Sequence, residues 1–135
     1  MRKSFKTTII GLLFLLVPVF AMAAGVTGSI QGFMCVTQGK VCPIGKEDAV
    51  AAVENVFVLL VDAAKDEYYF IPNVDRSVLV RHLNTQVTVE GTVDAKKKTI
   101  KAMDITSAGK KVWSQNMEDE IYKDLWGSGP GGSKK

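Results

Sequence analysis

Residues 85–106, TQVTVEGTVDAKKKTIKAMDIT, carry the geometry of two neighbouring β-strands. In the first half, Val87, Val89 and Val93 alternate with polar residues, which is the period of a strand with one buried face. Gly91 interrupts the apolar row, and a glycine at such a position marks a sharp bend or the close approach of another backbone. Curvature of this kind predicts a small closed barrel.

The second half of this segment is the returning strand of a hairpin. Residues 94–98 form a polar turn, and residues 99–106 form the strand that follows it. The apolar positions of the returning strand change phase near Ala102 and Met103, which predicts a β-bulge there.

Residues 1–23 have the three-part layout of a secretory signal peptide. Three basic residues precede an apolar run over residues 8–20, and Ala-Met-Ala at 21–23 is typical of a cleavage site before Ala24. The run is short for a bilayer span and is interrupted by Pro18. We therefore expect a periplasmic or secreted protein with no membrane span after cleavage.

The positive net charge of the chain comes from the predicted signal peptide. The sequence has 17 Lys and Arg and 14 Asp and Glu, and three of the basic residues precede the expected cleavage site, so residues 24–135 have 14 of each sign. A protein that binds phosphate backbones needs a surplus of cations, and this balance argues against nucleic acid as a partner. The remaining length is that of one domain.

Residues 33–43 contain both cysteines and are predicted to form a β-hairpin in which the two cysteines face each other. A two-residue turn at Gln38-Gly39 puts Cys35 opposite Cys42. Opposed residues of an antiparallel pair have Cα atoms about 4.5–5.5 Å apart, within the range of a disulfide. In an exported protein, a Cys35–Cys42 disulfide is the expected state.

The rest of the first hundred residues contains further strands and a short helix. Asp75 is placed to cap a helix that ends near Leu83, before the helix-stop residue Asn84. Residues 45–55 are interpreted as a connector with a turn of helix. Three more strands are predicted from alternation or short apolar runs, over residues 26–32, 56–62 and 67–71.

Five strands with a helix between the third and fourth are the plan of the OB-fold, a Greek-key barrel. The chain resembles the small exported bacterial OB-fold proteins of the tRNA-anticodon-binding-like family, over residues 26–106. The resemblance implies a mainly β barrel domain over residues 24–106 and no particular activity. The segments that carry it are FVLLVD (57–62), YYFIPN (68–73), LVRHLNTQVTVEGTV (79–93) and TIKAMDI (99–105).

Residues 107–126 are predicted as a C-terminal helical extension, which begins with a polar loop over residues 107–111 and is followed by a flexible tail over residues 127–135. Met117, Ile121 and Leu125 recur every four residues, as in an amphipathic helix. We expect the apolar side of this helix to pack on the barrel and close one of its ends.

The alternative role of this extension is docking on a partner. Trp113, Tyr122 and Trp126 are then the contact residues, because aromatic side chains dominate interface energetics.

No motif in the sequence identifies an enzyme. There is no nucleophile elbow and no glycine-rich phosphate loop, and His82 is the only histidine. We therefore predict no catalytic residue, no metal site and no cofactor. The leading hypothesis is a non-enzymatic OB-fold binding module of the bacterial envelope, whose partner is an envelope protein or a small ligand.

Two other functions remain open from the sequence. Cys35 and Cys42 could serve a thiol-redox or metal-binding protein, although their spacing is not that of a C-x-x-C motif. Oligonucleotide binding on the barrel face would use Tyr68, Tyr69 and Phe70 as stacking platforms.

Overall fold

The computed structural model describes residues 24–127, so the predicted signal peptide and nearly all of the predicted tail lie outside the described residues. This part of the chain is mainly β. The strands are β1 (Ala24–Gly32), β2 (Phe57–Asp62), β3 (Glu67–Phe70), β4 (Gln86–Asp94), β5 (Thr99–Ser107) and β6 (Lys110–Ser114). The helices are α1 (Phe33–Thr37), α2 (Glu47–Val53), α3 (Arg76–Val80) and α4 (Gln115–Trp126).

The strands form one sheet in the order β3-β2-β1-β4-β5-β6, with antiparallel neighbours throughout. A parallel bridge between Phe70 of β3 and Thr99 of β5 closes the first five strands into a barrel. The Phe70 amide also donates to the Lys98 carbonyl, at 2.8 Å. The predictions of a mainly β fold, a closed five-stranded barrel and a C-terminal helix are confirmed.

The inside of the barrel is filled by the alternating residues of its strands. Val87 and Val89 of β4 are buried, as their spacing predicts. Met103 has no partner on β4, because Glu90 pairs with Asp104 while Gly91 pairs with Ala102. The predicted bulge in β5 is therefore confirmed. The other large side chains that are almost completely buried include Ile30, Leu59, Ile100 and Ile105.

Helix α3 lies between β3 and β4 and supplies apolar residues to the core. The Asp75 side chain caps it by accepting from the Ser77 amide at 2.7 Å. Leu79 and Leu83 are buried in the main core. The helix ends at Val80 with Arg81 as its C-cap, earlier than the predicted end near Leu83. Asn84, which has a positive φ of 61°, lies in the turn that leads to β4.

The cysteine loop is not the predicted β-hairpin. Its first half is the helical turn α1, and the disulfide joins this turn to the following loop with a Cα–Cα distance of 5.4 Å. The helical turn allows Phe33 and Val36, three residues apart, to pack together on the outer face of β2 and β3. The predicted pairing of Cys35 with Cys42 is confirmed, although the predicted backbone is wrong.

Two further predictions need correction. Residues 107–111 are not one polar loop, because only Ala108 and Gly109 form a turn before β6 begins. Both have positive φ, 49° and 75°, as in the tight turns that join twisted hairpin strands. The connector that was predicted to hold a turn of helix contains the seven-residue helix α2.

We predict that Gly91→Ala destabilises the barrel. A Cβ atom at this position overlaps the carbonyl oxygen of Lys101, which is backbone and cannot rotate away. Overpacking of this kind lowers the free energy of unfolding by about 1–3 kcal/mol. Urea denaturation measures the loss.

The matched control is Gly25→Ala, whose new methyl group meets side chains and no backbone, Thr88 at 3.2 Å and Glu90 at 3.7 Å. It should stay within about 0.5 kcal/mol of the wild type. Equal stability of the two variants would contradict the close-approach explanation.

Candidate functional site

Helix α4 has clear boundaries. Ser114 caps its start by accepting from the Met117 amide at 3.2 Å. Gly127 ends it with a φ of 70°, and its amide donates to the Lys123 carbonyl. The helix predicted from the four-residue spacing is therefore present and complete within the described residues.

The apolar side of α4 is open to solvent. No residue of this helix is buried, and the prediction that it closes one end of the barrel is not confirmed. We call the exposed set the α4 apolar face. Its members, with the exposed fraction of each, are Met117 (44%), Ile121 (50%), Tyr122 (37%), Leu125 (64%) and Trp126 (58%).

Within residues 24–127, the side-chain hydrogen bonds that fasten α4 to the barrel come from its first turn. The Trp113 indole donates to the Glu118 carboxylate at 3.0 Å, and the Asn73 amide donates to the Gln115 side chain at 3.1 Å. Asn73 also holds both backbone groups of Ala102 on β5. Sequence reasoning missed this role of Asn73, because a turn asparagine gives no signal of its distant partners.

The predicted aromatic contact residues separate into two groups. Trp113 is 5% exposed and belongs to the core, so it holds the helix in place and offers little surface. Tyr122 and Trp126 stay outside, with ring centroids 5.1 Å apart. Of the three predicted contact residues, Tyr122 and Trp126 are therefore exposed on α4, whereas Trp113 is buried.

A groove of about 290 Å³ lies where α3 meets α4, and we call it the α3–α4 groove. It continues the α4 apolar face towards the barrel. The carboxylates at its rim already have partners, since Asp75 caps α3 and Glu118 binds Trp113. Its lining residues are Asp75, Ser77, Val78, Trp113, Met117, Glu118, Ile121 and Tyr122.

The aromatic residues of β3 do not form one stacking platform. Tyr68 and Phe70 point outside the barrel and pack against Phe33 of α1, with ring centroids 5.9 and 5.2 Å from the Phe33 ring. Tyr69 points the other way, against the main core. The Lys98 ammonium covers the Tyr68 ring at 4.1 Å. These rings are therefore partly occupied by neighbours from the same chain.

The disulfide loop is built into the fold. Cys42 is completely buried, and its sulfur accepts from the Gly32 amide at 3.2 Å. The Cys42 amide donates to the side chain of Gln31, which is itself buried. Neither cysteine is free. Across residues 24–127, no group of three or more His, Cys, Asp or Glu side chains is placed to hold a metal ion.

Comparison with known proteins does not assign the chain to a family. No family model, no curated protein and no solved structure matches the chain. Between residues 24 and 127 there is also no helix with the length and apolar character needed to cross a membrane.

We predict that the paired substitution Cys35→Ser and Cys42→Ser lowers stability but leaves the barrel folded. The chain entropy of an eight-residue loop corresponds to about 2.5 kcal/mol. Neither cysteine belongs to a strand of the barrel, since the bond joins α1 to the loop that follows it. Chemical denaturation gives the size of the loss, and far-ultraviolet circular dichroism tests whether the strands remain.

Wild-type protein treated with a reductant is the control and should lose a similar amount of stability. Disappearance of the strand signal in the double variant would show that the disulfide is required for folding.

We also predict that the Asp75 carboxylate stabilises the folded protein at neutral pH and that this stabilisation is lost in acid. Hydrogen bonds from the side chain and then the amide of Ser77 lower the pKa of Asp75 below its usual value. A lowered folded-state pKa stabilises the protein above the unfolded pKa of about 3.9, and this contribution disappears as the pH falls through the folded value. The stability advantage of wild type over Asp75→Asn should therefore shrink below about pH 4.

Urea midpoints measured from neutral pH downwards test this expectation. Asp48→Asn, which removes an exposed carboxylate from α2, is the control for general loss of charge. The role of this cap would be contradicted if the difference in stability between wild type and Asp75→Asn stayed constant as the pH falls.

Proposed function

We propose that this chain is an exported, non-enzymatic interaction module with an OB-fold, and that it binds a partner protein through the α4 apolar face. The observation that carries the proposal is the exposure of five large apolar side chains on one helix. Clustered exposed apolar surface next to a groove is typical of an interaction site in a folded protein.

The strand connections support the OB-fold part of the proposal. The barrel closes in the order β1-β2-β3-β5-β4, and α3 lies between β3 and β4. This arrangement fits the five-stranded Greek-key plan inferred from the sequence. Strand β6 and α4 are then additions to the barrel, and the proposed docking surface belongs to the second of them.

Export is supported by two independent features. The first 23 residues have the composition of a secretory leader. The Cys35–Cys42 disulfide is compatible with an oxidising compartment, where such bonds persist.

The α3–α4 groove favours binding over catalysis and a protein over a small molecule. The carboxylates at its rim are engaged in structural hydrogen bonds, as described above. Its volume of about 290 Å³ lies just below the range for small-molecule pockets, about 300–1,000 Å³. A groove of this size beside a long exposed face suits an anchoring side chain of a larger partner.

The test is affinity purification of the tagged protein from envelope extract, beside the variant Ile121→Ala/Leu125→Ala. Alanine removes apolar contact area while keeping helix propensity high. Truncation of two interface anchors should weaken the capture of a specific partner about tenfold or more.

The matched control is Asn116→Ala/Lys123→Ala on the polar side of α4. It should retain the partner. Recovery of the same proteins with all three forms, or of none with any form, would refute the proposed function.

A further inference from the structure

The polar side of α4 is strongly acidic. The helix contains four acidic residues and a single lysine, Lys123. The carboxylate of Glu118 is used by Trp113. Within the described residues, the other three acids are in none of the salt bridges of the structure. These three are Asp119, Glu120 and Asp124.

The three unpaired carboxylates lie along both edges of the α4 apolar face. Glu120 and Asp124 are four residues apart and follow the edge beside Met117 and Ile121, which precede them by three residues each. Asp119 lies one turn before Tyr122 and borders the other edge. Anything that covers the apolar face consequently meets negative charge on both sides.

We propose that the occupant of this surface is a basic amphipathic helical segment of a partner protein. This inference rests on the proposed function and adds the chemistry of the partner. Apolar residues of the segment cover the α4 apolar face, and one of them enters the α3–α4 groove. Lysine or arginine residues beside the apolar row pair with Glu120, Asp124 and Asp119. Helix-in-groove docking with complementary charge is an established mode of recognition.

A second copy of the same helix fits this surface less well. Pairing two α4 helices puts the edge formed by Glu120 and Asp124 opposite the acidic edge of the partner. Like charges that face each other across an interface oppose association.

An anionic membrane surface is disfavoured for the same reason. Helices that lie in a membrane interface carry lysine and arginine on the polar side, which are attracted to anionic lipids. The carboxylates of α4 are repelled by such a surface.

The experiment measures binding of two labelled helical peptides to the purified protein by fluorescence anisotropy. Both peptides have about 14 residues, near the length at which isolated helices become stable, and share leucines at positions i, i+3, i+4 and i+7. One has lysine beside the leucines and the other has glutamate, two residues of similar helix propensity.

We expect the basic peptide to bind at least tenfold more tightly than the acidic one. Its affinity should fall as the salt concentration rises from about 0.01 M to about 1 M, because the screening length shortens from about 30 Å to about 3 Å. The variant Glu120→Gln/Asp124→Asn should bind it about three- to tenfold more weakly, the effect of losing two exposed ion pairs. Ile121→Ala/Leu125→Ala should lose most of the binding.

The charge-matched control is Glu67→Gln/Asp94→Asn, which changes the first residue of β3 and the last residue of β4. Neither residue lines the α3–α4 groove, so this variant should bind the basic peptide like the wild type. Circular dichroism verifies that all variants are folded.

Several results would overturn the inference. They are equal binding of the two peptides, no binding of either, self-association through α4 in analytical ultracentrifugation, or stronger co-sedimentation with phosphatidylglycerol vesicles than binding to the basic peptide. If affinity purification still recovers a partner that depends on Ile121 and Leu125, the proposed function stands and only the basic character of the partner is wrong.

Discussion

The fold depends on close backbone contact at two glycines. At Gly28 an added Cβ atom would lie 2.5 Å from the carbonyl oxygen of Leu60, and at Gly91 it would overlap the carbonyl of Lys101. The absence of side chains at these positions allows β1 and β4 to bend tightly, and this curvature brings β3 near enough to β5 to close the sheet. Closure creates the main core, to which Trp113 of β6 contributes, and leaves α4 on the outside.

The exposure of α4 follows from this arrangement. Leu79 and Leu83 already supply apolar packing from the α3 segment, and Trp113 occupies the core at the end of β6. The helix that follows has its first turn anchored by Asn73 and Glu118, while the rest extends along the surface. Its apolar face is therefore uncovered because the space inside the barrel is already filled.

The cysteine loop shows where local pattern and tertiary packing differ. A hairpin and a helical turn both bring Cys35 and Cys42 within disulfide range, so the pairing was predictable and the backbone was not. The helical turn is selected because it packs Phe33 and Val36 on the outer face of β2 and β3. The same contact covers part of the surface that Tyr68 and Phe70 would offer to a ligand, which no reading of those residues alone reveals.

By itself, the sequence determined the alternation of the barrel strands, the glycine and the bulge that curve them, the disulfide partners and the amphipathic character of α4. These features depend on spacing within one segment, which physical chemistry translates directly into strand, turn or helix. Only the tertiary structure decided that β6 continues the sheet, that Trp113 is buried while Trp126 is exposed, and that α4 lacks a cover. Periodicity shows which side of an element is apolar, but which distant residues reach that side depends on the path of the whole chain.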